Sequence, residues 1–75
     1  MDLKEILSTN LRRIRHETGR TQEEMAHILG ISSRYLGSIE RSKVSPSVTL
    51  LGDFAQALGV SPCELITAVN TSARR

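Results

Sequence analysis

Aromatic side chains are nearly absent: Tyr35 and Phe54 are the only two in 75 residues, and there is no tryptophan. A core without rings must be aliphatic, which suits helix-on-helix packing better than a β-sandwich, so an all-α fold is expected. Cys63 is the single cysteine, which excludes an internal disulfide, and no charged-then-apolar leader opens the chain. Secretion is therefore not expected, and the compartment expected is cytoplasmic. No apolar run approaches the roughly 18 residues that a membrane span requires, so no membrane partner is expected either.

Basic residues are missing from 44 to 73, where Asp53 and Glu64 are the only charges. Residues 12–43 instead hold Arg12, Arg13, Arg15, Arg20, Arg34, Arg41 and Lys43 against Glu17, Glu23, Glu24 and Glu40, a net charge of +3 in a chain of +2 overall. Such polarity fits a polyanion met by one face and something uncharged met by the other. With 39% hydrophobic and 24% charged residues the composition is that of an ordinary globular chain. One small domain is expected over residues 1–70, with 71–75 a fraying tail.

Caps and apolar spacing predict five helices. Asp2 with Glu5 three residues on has the form of a capping box, and Ile6, Leu7, Leu11 and Ile14 continue as a helical stripe until Gly19, a first helix over about residues 3–18. Thr21 with Glu24 is a second capping box; Met25, Ala26 and Leu29 share a face, and Gly30 stands where a helix ends. Ser32 is the best N-cap for a third helix, whose Leu36 and Ile39 face inward while Ser33, Arg34, Gly37, Ser38 and Arg41 face outward. Residues 42–47 read as a loop ending in the cap Ser47, ahead of Leu50, Leu51, Phe54, Ala55 and Leu58. Ser61, Pro62 and Glu64 then start a fifth helix carrying Leu65, Ile66 and Val69.

A two-turn helix, a tight turn at Gly30-Ile31-Ser32 and a second short helix with a polar outer face form an arrangement that lets a helix protrude into a major groove. Ala26 is small enough to let the two helices approach closely, and Ile31 plugs the gap beneath. The elements Thr21-Gln22-Glu23-Glu24 with Ala26, Gly30-Ile31-Ser32, Ile39-Glu40-Arg41, Pro46-Ser47 and Ala57-Leu58-Gly59-Val60 come in a set order. Together with Leu11-Arg12-Arg13-Ile14-Arg15, that ordered set resembles the lambda-repressor-like helix-turn-helix domains of Cro/cI-type transcriptional regulators. The chain is also similar to the controller proteins of restriction-modification systems.

The resemblance implies that the N-terminal part of the third helix lies in the major groove, with Ser32, Ser33, Arg34 and Ser38 facing bases and Tyr35 either joining them or packing into the core. Arg34 is the strongest base reader, because a guanidinium bonds both guanine acceptors at once. Thr21 and Gln22 are similar to family positions that grip phosphate, and Arg41 and Lys43 to further phosphate contacts. Arg12 and Arg13 are either phosphate contacts or a solvated face. Arg15 and Glu40 match positions that form a structural salt bridge in the family. His16 and His27 lack partners at ligand spacing, so no metal is expected.

The function these expectations describe is sequence-specific binding of double-stranded DNA by a homodimeric repressor or controller, associated with the nucleoid and reading a pseudo-palindromic operator. The dimer interface is expected on the fifth helix, at Leu65, Ile66 and Val69. RNA polymerase is a further open option as partner; no cofactor or small-molecule ligand is expected. The alternative is an antitoxin-like or adaptor module that binds a partner protein. An enzyme is not expected, since nucleophile–base pairs, metal clusters and glycine-rich phosphate loops are all lacking.

Overall fold

The computed structural model describes residues 2–68. Those residues form α1 (Leu3–Glu17), α2 (Gln22–Leu29), α3 (Ser33–Glu40), α4 (Val48–Leu58) and α5 (Pro62–Leu65), with no strand among them. Every helix starts on a residue whose short side chain accepts a bond from an otherwise orphaned backbone N–H: Asp2, Thr21, Ser32, Ser47 and Ser61. Thr21 and Ser61 complete reciprocal capping boxes with Glu24 and Glu64. Asp2 instead takes the amide of Lys4 at 3.0 Å, without a reciprocal bond from Glu5.

The first four helices stop in one way. Just past each end one residue bonds back to the carbonyl three before it, and the next residue reaches one position deeper: Gly19 and Arg20 to His16 and Arg15, Gly30 and Ile31 to His27 and Ala26, Ser42 and Lys43 to Ile39 and Ser38, Gly59 and Val60 to Gln56 and Ala55. This geometry needs a left-handed residue, supplied by glycine after α1, α2 and α4. After α3 it is supplied by Ser42, the one non-glycine residue with positive φ among those described (+60°). Its hydroxyl donates to the buried Ser8 hydroxyl at 2.9 Å, tying the end of α3 to α1.

Helix α1 packs on α3 and α5, α2 on α3 and α4, and α4 on α5. The core between them is aliphatic around one ring, Phe54, with Leu11, Met25, Leu36, Ile39 and Leu65 essentially excluded from solvent. Ala26 is also buried and Ile31 packs against the cluster, so the close approach of α2 and α3 rests on the residues expected for it. Asn10, equally buried, donates its amide to the carbonyls of Leu65 (2.8 Å) and Thr67 (3.1 Å), holding the end of α5 against α1.

Three expectations need correction. Helix α5 spans four residues and ends at Leu65, with Ile66 just past it; Val69 and the tail from 71 to 75 lie outside the described residues. Leu65, expected at a dimer interface, is fully buried in its own core, because a four-residue helix has to spend its one large apolar side chain anchoring itself. Gly37, placed on the outer face of α3, is buried. The apolar surface that does remain open is elsewhere: Val48 is 85% exposed and Leu3 58%.

Candidate nucleic-acid interface

Helix α3 has eight residues, too few to hold together unaided in water, so its orientation is a matter of tertiary contacts. Leu36 and Ile39 enter the core on one side. Beside them Glu40, 5% exposed, receives Arg15 from α1 in a fork: Nε donates to Oε2 at 2.8 Å and Nη2 to Oε1 at 3.0 Å. Gln22, first residue of α2, donates its Nε2 to Oε1 of the same carboxylate at 3.2 Å. One carboxylate therefore joins three helices. The guanidinium pKa of Arg15 is raised above its already high ordinary value, chiefly by its hydrogen bonds to Glu40, with burial opposing and charge attraction adding to them.

With its inner side held in this way, α3 turns the remainder outward. Arg34 is exposed and is the one long polar side chain in the first turn. Ser33 and Ser38 are half-buried, and Ser32 is exposed but commits its oxygen to the amide of Tyr35 (3.0 Å), leaving its hydroxyl proton to bond elsewhere. Tyr35 packs against the core while the residue stays half-accessible.

The residues expected on phosphates frame this face. Thr21 and Gln22 begin α2, but the Thr21 hydroxyl and amide are both engaged with Glu24, at 3.1 and 2.8 Å. Arg41 and Lys43, just past α3, are exposed. Arg12 is exposed on α1, its Nε 3.4 Å from the carbonyl of Ser8, whose hydroxyl is bonded to Ser42. It therefore stands on the edge of α1 that borders the end of α3. Arg13 pairs instead along its own helix with Glu17 at 3.2 Å, as a solvated face does.

The family profile that matches the chain is that of the helix-turn-helix, over residues 11–65. The chain belongs to the lambda-repressor-like helix-turn-helix family. Within it, this domain is 46% identical over 67 residues to the HTH-type transcriptional regulator y4dJ of Sinorhizobium fredii, a match covering 89% of this chain and 87% of that protein. Among solved structures, the hypothetical transcription factor NHTF from Neisseria aligns with a TM-score of 0.82 at 31% identity, over 89% of this chain and 77% of that one. The restriction-modification controller protein C.AhdI from Aeromonas hydrophila aligns with a TM-score of 0.75 at 31% identity, over 83% and 94%. This helix-turn-helix domain is thus a transcriptional regulator of that type. No helix among the described residues is long and apolar enough to cross a membrane.

The residues that sequence reasoning missed are polar groups buried between helices, Ser8 and Asn10, and it also missed the bond from Gln22 to Glu40. Asn10 carried a signal, a weak helix former set between Leu7 and Leu11 on the apolar side of α1.

Proposed function

We propose that this domain reads double-stranded DNA through α3 in the major groove, as a homodimer on a pseudo-palindromic site, and acts there as a repressor or controller. The observation that carries this reading is the division of α3 into a pinned inner side, held by the Arg15–Glu40–Gln22 bonds, and an outer side offering Arg34. A rigid presentation matters, since a base-reading guanidinium discriminates only if its two bonds are aimed. Ser33 and Ser38 assist it at base edges, while Gln22, Arg41, Lys43 and Arg12 hold the phosphate backbone and fix the register. Leu3, Val48, Leu51 and Ile66 line one apolar groove, and that groove, rather than Leu65, is the surface proposed to meet a second copy.

Selection from random duplex DNA at about physiological salt tests the reading, because non-specific phosphate binding is weak there. Enrichment of a pseudo-palindrome is the expected result. A folded protein that enriches nothing would overturn it in favour of a module that binds a partner protein.

A further inference from the structure

Gly37 lies on the ridge of α3 between Ser33 and Arg41, four residues from each, where side chains stack one above the next. Glycine in a helix interior is unfavourable relative to alanine, and this one is buried, so something occupies the space of the missing side chain. A Cβ built there would lie 3.1 Å from Nη1 of Arg41 and 3.5 Å from both Nε2 and Oε1 of Gln22. Arg41 therefore folds back along α3 until its guanidinium rests on the bare backbone at Gly37, with the Gln22 amide meeting the same point from α2. Gln22 presents its nitrogen to Glu40 because a carboxylate only accepts; one of the two amide hydrogens is used at 3.2 Å and the other is left over. Arg41 forms no ion pair among the described residues, and its side chain is exposed. Two donors, one on each helix of the motif, are thus brought side by side by the absence of a methyl group.

We propose that Gly37 is a positioning residue: it seats Arg41 beside Gln22 so that the two together grip one phosphate of the DNA backbone. This rests on the DNA-reading function proposed above. A methyl at Gly37 forces the Arg41 guanidinium outward while Gln22, at ordinary contact distance and tied to Glu40, stays in place. The pair is then split without a charge being removed. The obstructed atom is the far end of a flexible side chain, so folding does not suffer, and helix propensity works in favour of the substitution.

The test compares Gly37→Ala, Arg41→Ala and the double variant by thermal melting and by binding to selected and random duplexes across a salt series. Gly37→Ala is expected to melt no lower than the wild type, yet to bind about three- to tenfold more weakly on every sequence, with a shallower salt dependence approaching that of Arg41→Ala. In the Arg41→Ala background the same methyl is expected to change affinity by less than about twofold. Wild-type affinity and salt slope in Gly37→Ala would overturn the proposal. So would an equal loss with and without Arg41, which would mean that the methyl blocks the approach of the helix itself, and so would a clearly lowered melting temperature, which would make the gap a packing feature. Failure of the wild type to bind any duplex strikes first at the DNA-reading function, whatever the Gly37 variants do.

Discussion

Single residues decide two separate properties of this domain, what α3 can read and how firmly it ends. Arg34 stands exposed in the first turn and forms no ion pair among the described residues, so its loss should be felt by the ligand alone. Arg34→Ala is expected to cost about 1–3 kcal/mol on the selected site and to relax the preference at one base position, with unchanged stability. Equal weakening on random DNA, read in the same titrations, would remove it from the base-reading set. Lys43→Ala should do what Arg34→Ala does not: weaken all sequences alike and lower the salt slope by about one. Ser42 governs the helix end. Its left-handed backbone is strained for any residue with a Cβ, and its hydroxyl offsets part of that strain through Ser8. Alanine there keeps the strain and loses the bond, whereas glycine loses both. Urea unfolding should therefore rank Ser42→Gly above Ser42→Ala by about 1 kcal/mol, with the glycine variant close to the wild type. The reverse order would show that the left-handed backbone carries no strain for glycine to relieve, and a glycine variant well below the wild type would show that the hydroxyl bond dominates this position.

Among the helices, the junction of α1, α2 and α3 at Glu40 sets the angle at which α3 is presented. A buried ion pair of this kind adds little net stability, because desolvating its charges cancels most of the attraction, but removing one member strands the other. Arg15→Ala should accordingly cost about 1–3 kcal/mol, a range set below the fully buried case because the Arg15 side chain is 17% exposed. The apolar pair Arg15→Met with Glu40→Leu should return to within about 1 kcal/mol of the wild type. DNA binding should not return with it, since Gln22 has then lost the carboxylate that orients it; a double variant that recovers both would show that Gln22 needs no anchor. Proton release from Arg15 does not enter: its pKa is raised above the ordinary guanidinium value, so the stability it contributes is complete below that value and lost only at still higher pH, beyond the range of any binding assay. The helix starts were legible in the chain because capping is local chemistry, one short polar side chain and an amide two or three residues on, as at Thr21 and Ser47. The Arg15–Glu40 pair was reached only through resemblance, being 25 residues apart in sequence. What could not be read was burial that depends on a neighbouring helix. Gly37 has no hydropathy of its own to place it, and Leu65 reads equally well as core or as interface until α5 is seen to be four residues long. Gly52 meets nothing within 4 Å, and the structure offers no reason for glycine there.

For the whole molecule the relevant fact is an asymmetry of charge along the chain: a basic stretch from 12 to 43 bearing the face proposed to meet DNA, and a length from 44 to 73 without a single Lys or Arg. One exposed valine is ordinary, but Val48 shares its groove with Leu3, Leu51 and Ile66, and contiguous apolar surface on so small a body calls for a cover. Two-fold pairing there would present two copies of α3 to successive turns of one duplex, which a single eight-residue helix needs in order to be specific. Val48 also allows the proposal to be separated from folding. It is the first residue of α4, and a carboxylate in the first turn of a helix is favourable by about 0.3–1 kcal/mol. Val48→Glu should therefore melt no lower than the wild type while placing a charge in the apolar contact. By sedimentation equilibrium the wild type is expected to be a dimer at micromolar concentration and the variant a monomer. Affinity for the palindrome should fall by about a hundredfold as the second half-site is no longer engaged by a tethered partner, with binding to an isolated half-site unchanged. A Val48→Glu protein that still sediments as a dimer would move the interface away from this groove.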